Sequence, residues 1–169
     1  MIDYKSIGEK ELSLFGIAFD NPKETKMFAD FVLEELEVHI GERISEGISP
    51  DKLKEFDLIS DNNEAAKWLQ VNRPDYRDIV AAEQKKMAWN LLKNRKKISN
   101  SQVSIEPRRI HNHIHCLKLS VYSFKRLCNA RLFTIQGVLD FNDNLKNISG
   151  IDDVSEKEII AKIIDYLIP

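Results

Sequence analysis

The chain has 169 residues, 43% of them hydrophobic, and a formal net charge of −2. That length suits one domain or two small ones, and the near-balanced charge excludes a broadly basic nucleic-acid coat. Met1-Ile2-Asp3-Tyr4-Lys5 has no apolar signal core, no stretch is apolar enough to span a bilayer, and two cysteines make no disulfide framework, so a reduced cytoplasmic protein without membrane contact is expected.

The charge is unevenly placed. Residues 1–95 carry 14 basic and 19 acidic side chains, whereas 96–115 carry 4 and 1. An acidic half, a basic joint and a neutral end follow one another along the chain.

Residues 1–20 hold Ile7, Leu12, Phe15 and Ile17 in a short helix or packed arm. Asn21 then caps a helix with Pro22 at its first position, and Met27, Phe28, Phe31, Val32, Leu36, Ile40 and Ile44 form its stripe. Gly47 ends it. Ser49-Pro50 starts a second helix with Leu53 and Phe56, and Asp61 or Asn62 a third with Trp68 and Leu69. The third stops at Arg73 because the residue before a proline disfavours helix, and Pro74 begins a fourth with Tyr76, Ile79, Val80, Met87 and Leu91. Short connections make this an acidic bundle over 1–97. Glu34, Glu35, Glu37, Glu42 and Glu46 form either a solvated face or a docking surface for a basic protein partner.

Lys93, Arg95, Lys96 and Lys97 suit the negative end of the fourth helix dipole. Residues 98–111, with Pro107, Arg108 and Arg109, read as a basic linker. His111, His113 and His115 share one side of an extended strand, which makes them weak metal candidates with Cys116 or Cys128 nearby; the spacing is not that of a structural zinc motif. No metal or other cofactor is expected. There is no P-loop, dinucleotide turn, nucleophile elbow or zincin motif, and the expectation is a protein that is not an enzyme.

Residues 112–169 read as four short helices. Ser120 caps one with Val121, Phe124, Leu127, Cys128 and Leu132 inward, Thr134 caps another with Ile135, Val138 and Leu139, and Asp143 or Asn144 opens a single turn with Leu145 and Ile148. Ser155-Glu156-Lys157-Glu158 reads as a capping box, with Val154 and Ile159 as a hydrophobic staple. Ile159, Ile160, Ile163, Ile164 and Leu167 form the last apolar face. The fold class is therefore all-α.

Leu119-Ser120-Val121, Ser123, Leu127, Thr134-Ile135, Leu139, Ile151, Ser155, Glu158 and Ile159 resemble the C-terminal domain of the bacterial RNA polymerase α subunit, over about a third of the chain. The resemblance implies a helical-hairpin domain that contacts duplex DNA or an RNA polymerase component through Tyr122, Lys125, Arg126, Asn147, Gly150, Asp152 and Ser155. The departures fall where that family touches DNA. Its arginine is Tyr122 here, its hairpin glycine is Asp152, and a following lysine is Val154. A carboxylate where a phosphate would sit is repulsive. Two expectations follow: a transcription-associated recognition module, or a protein–protein adaptor that keeps the fold without binding DNA. Separately, residues 46–80, through Ser49-Pro50, Trp68-Leu69 and Pro74-x-Tyr76, resemble a small bacterial helical domain of uncharacterised function.

Overall fold

The computed structural model describes residues 7–99, 109–141 and 144–167. Among them are eight α-helices: α1 (Glu9–Leu14), α2 (Pro22–Ser45), α3 (Pro50–Asp57), α4 (Asn62–Asn72), α5 (Tyr76–Ile98), α6 (Val121–Asn129), α7 (Ile135–Asp140) and α8 (Asp153–Leu167). Single 3-10 turns at Ile114–Leu117 and Leu145–Asn147 flank α6 and α7. The all-α class holds: among the described residues no strand forms beyond one isolated antiparallel bridge, His113 to Thr134.

Most helix starts obey local chemistry. The Asn21 side chain accepts the Lys23 N–H, Asp61 accepts those of Asn63 and Glu64, Ser120 that of Ser123 and Thr134 that of Gly137. Asn144 opens the second 3-10 turn by accepting the Lys146 N–H, and Asp143 lies outside the described residues. Gly47, at φ +82, closes α2 in the left-handed region that lacks a Cβ penalty. Pro74 does not open α5. It sits in a turn, and Asp75 precedes the first helical residue, Tyr76.

The last helix begins earlier than its capping-box pattern suggests. Asp152, not Ser155, is the cap: its Oδ1 accepts the Ser155 N–H at 2.8 Å, and its carbonyl accepts from Glu156. Ser155 is therefore inside the first turn and 5% exposed, while Val154 is 75% exposed and staples nothing. Aspartate caps as well as serine does, and choosing it frees Glu158 for a distant partner.

The main core cluster draws on both halves of the chain, and a smaller one of Leu36, Ile40 and Val80 lies between α2 and α5. Leu12, Phe15 and Ile17 from the N-terminal arm, Val32 of α2 and Leu91 and Leu92 of α5 join Leu127, Leu139, Ile159 and Ile163 from the C-terminal helices. The long helix α5 is the shared wall, packing on α2, α7 and α8. Polar ties reinforce it. Arg95 is 4% exposed; it donates to the Leu92 carbonyl at 2.8 Å and to Asp140 at 3.1 Å. Lys93 reaches the Phe141 carbonyl. The basic end of α5 thus grips α7, a stronger reason for those cations than the helix dipole alone. Ser99 donates to the Ala18 carbonyl at 2.6 Å, fastening the end of α5 to the arm.

Residues 100–108 of the expected linker lie outside the described residues. Arg109 donates to the Tyr166 carbonyl at 3.1 Å and lies over that ring at 5.5 Å.

Candidate functional site

The residues singled out from sequence gather where α6 meets the turn before α8. Glu158 makes the joint. It accepts the Ser120 N–H at 2.5 Å, the Ser120 hydroxyl at 2.8 Å and the Ser123 hydroxyl at 2.5 Å. Burial opposes the charge on Glu158, but the hydrogen bonds from Ser123 and Ser120 outweigh it and hold the carboxyl below its usual range. Phe124, Leu127, Cys128 and Leu132 face the core as expected, and the joint accounts for the one departure from that stripe. Ser123 is fully buried, turned inward towards Glu158, whereas Val121, expected inward, is 72% exposed. Charge-assisted bonds to a carboxylate outweigh the burial of one valine.

Arg126 and Gly150 form the second contact. The Arg126 guanidinium lies over the Tyr122 ring at 4.9 Å and against Gly150. A Cβ at Gly150 would stand 2.5 Å from the Arg126 guanidinium carbon, and the residue has φ +84. The left-handed backbone favours glycine here, and a side chain would also have to displace the guanidinium. Arg126 thus packs against Tyr122 and the turn before α8.

The helix N-terminus itself is occupied. The Ser155 N–H holds the Asp152 carboxyl below its ordinary range, as expected for an anion seated on a helix end. Lys146 bridges to Asp153 at 2.7 Å and to Glu156 at 3.7 Å, tying the preceding 3-10 turn to α8. Asn147 and Lys125 are exposed, and so are Lys118 and Arg131. The surface around the joint is partly apolar: Val121 and Tyr122 stand on the first turn of α6 and Val154 on the first turn of α8, with Tyr122 48% exposed.

The histidines do not line one side of a strand. Residues 109–111 form a turn, His113 makes a single bridge, the Ile114 N–H donates to the Phe133 carbonyl, and the chain then tightens into a 3-10 turn containing His115. His113 Nδ1 accepts the His115 N–H at 3.1 Å. The His113 ring stacks on Phe133, and His115 meets Phe124 edge-on. Among the described residues no group of three or more His, Cys, Asp or Glu side chains is placed to hold a metal ion.

Three features escaped sequence reasoning. The Glu158 joint spans 38 residues and the Arg95–Asp140 pair 45, and no local pattern announces either. The third is an apolar groove of about 310 Å³ between α2, α3 and α4, lined by Ile40, Gly41, Ile44, Leu53, Phe56 and Trp68 among others. No local pattern marks it either, since α3 carries apolar residues whose burial only the fold decides.

Residues 12–91 match the family described as "Protein of unknown function (DUF5663)". The match covers α2 to α4, the groove and most of α5, and stops before α6. No curated protein and no solved structure matches the chain.

Proposed function

We propose that this chain is a non-enzymatic, cytoplasmic adaptor whose α6–α8 surface binds a protein partner rather than DNA. The observation that carries the reading is the occupied anion seat: the Asp152 carboxylate already sits on the α8 N-terminus. Phosphate contacts supply most non-specific DNA affinity, and here the N–H groups that would make them face a carboxylate. The exposed Val121, Tyr122 and Val154 offer the kind of apolar centre that protein interfaces use. An RNA polymerase component is the partner class the sequence resemblance implies, so purified polymerase is the first partner to test. Two unpaired cysteines, Cys116 exposed and Cys128 half-buried, favour a reducing compartment. Among the described residues no helix is long and apolar enough to cross a membrane.

A second reading, a transcription-associated module on duplex DNA, rests on the exposed cations Lys118, Lys125 and Arg131. One experiment separates the two. Fluorescence anisotropy of labelled duplex DNA with the full chain is expected to show no binding even at low salt. Polymerase captured on immobilised wild-type chain is expected to be lost on Val121→Ser/Tyr122→Ser/Val154→Ser. DNA binding that falls steeply with salt and disappears in Lys125→Ala would overturn the adaptor reading in favour of the second.

A further inference from the structure

We infer that the groove between α2 and the α3–α4 hairpin is a separate docking site, and that its occupant is a basic amphipathic helix of a partner protein. Its walls are apolar: Ile40 and Ile44 on α2, Leu53 and Phe56 on α3, and Trp68 on α4, with the Phe56 and Trp68 rings 4.9 Å apart. At about 310 Å³ it has room for a few side chains.

Gly41 points to close approach by something outside the chain. It lies within α2, where glycine is less stable than alanine, and it is exposed on the groove. A Cβ there would meet nothing within 4 Å, and Gly41 is not among the glycines with positive φ. Neither packing among the described residues nor backbone conformation calls for glycine. An incoming backbone that rests on α2 would use the missing side chain.

Charge selects the occupant. Glu37 lines the groove, and Glu34 and Glu42 are exposed on the same stretch of α2. Among the described residues no ion pair reaches these three or Glu35, while on the far side of the groove Glu46 is matched by Arg43, Asp51 by Lys54 and Glu55 by Lys52. Unmatched carboxylates beside an apolar slot favour apolar anchors flanked by lysine or arginine. The groove walls are helices, whose backbone groups are satisfied internally. An extended occupant would leave its own N–H and C=O groups unpaired against them, and a helix would not.

The site shares no residue with the α6–α8 surface, so failure at one leaves the other standing. The test is a display selection of random peptides of about 15 residues, long enough for a helix of several turns, on the full chain. Enriched peptides are expected to carry apolar residues at i, i+4 and i+7 with basic flanks. Anisotropy should show at least about a tenfold loss of affinity on Gly41→Leu, and a comparable loss on Glu34→Lys/Glu37→Lys. Gly41→Leu enters open space, so its melting temperature should not fall. Should it fail to fold, Leu53→Glu on α3, a helix with no buried residue, takes its place. Absence of enrichment, acidic winners, or peptides that bind the filled groove equally well would overturn the inference. So would a wild-type dimer in sedimentation that Gly41→Leu dissolves, since that assigns the face to a second copy.

Discussion

The two helical hairpins of this chain are held in opposite ways. α6 and α8 are locked by Glu158, by the fully buried Leu127, Ile159 and Ile163, and by Arg126 wedged between Tyr122 and Gly150. α3 and α4 bury one residue between them, Leu69, and leave a groove where the other hairpin has a core. The first can be rigid because its polar groups are paired across long sequence distances. The second is left with apolar side chains that find too little protein to cover them. Low burial marks elements free to rearrange, so the less packed hairpin is the one more able to adjust its side chains.

The comparison breaks most visibly in the core. Ile163→Ala is expected to cost about 2–5 kcal/mol in urea unfolding, as for other buried large-to-small changes, and to lower one shared transition because α5 joins both halves. Leu53→Ala on α3, half-buried, should cost less than about 1.5 kcal/mol. Equal losses would show that α3 is as tightly built in as α8.

The Glu158 joint gives a smaller and pH-dependent effect. Glu158→Gln is expected to destabilise by about 1 kcal/mol near pH 7, a figure reduced for the partial exposure of the carboxylate. Because the folded-state pKa is lowered, the stabilisation is present above the unfolded value, about 4.3, and fades as pH falls through the folded one. The gap between wild type and variant should therefore be flat from neutral pH down to about 5 and shrink below about 4. A gap that widened with acid would contradict the joint.

The smallest expected change has the opposite sign. Gly41→Ala should raise stability by about 0.5–1 kcal/mol, since it removes a helix glycine without touching a neighbour. A loss of stability would mean that α2 needs glycine there for its own packing.

Much of this was legible in the sequence because caps and stripes are local. Asn21, Ser49, Asp61, Ser120, Thr134 and Asn144 mark where their elements begin. Glycines at 47 and 150 fell at turns because few other residues tolerate positive φ. The error at α8 was also local: Asp152 and Ser155 are both good caps three residues apart, and the Ser-x-x-Glu pattern favoured the wrong one. Of the candidate site, the residue types and their neighbourhood were visible, but not their allegiances. Ser155 and Arg126, read as groups offered to a partner, are used within the chain.

By itself the sequence determined an all-α chain, its helix boundaries to within a few residues, and the acidic and basic segments. Tertiary structure decided that the arm, α5 and the C-terminal helices share one core, that Glu158 serves α6 rather than its own helix, that Arg95 is buried on Asp140, and that a groove opens beside Gly41. The physical reason is range. Backbone caps and helical periodicity act over three or four residues, whereas a carboxylate's choice among hydroxyls, or the space left between two helices, depends on groups that only folding brings together.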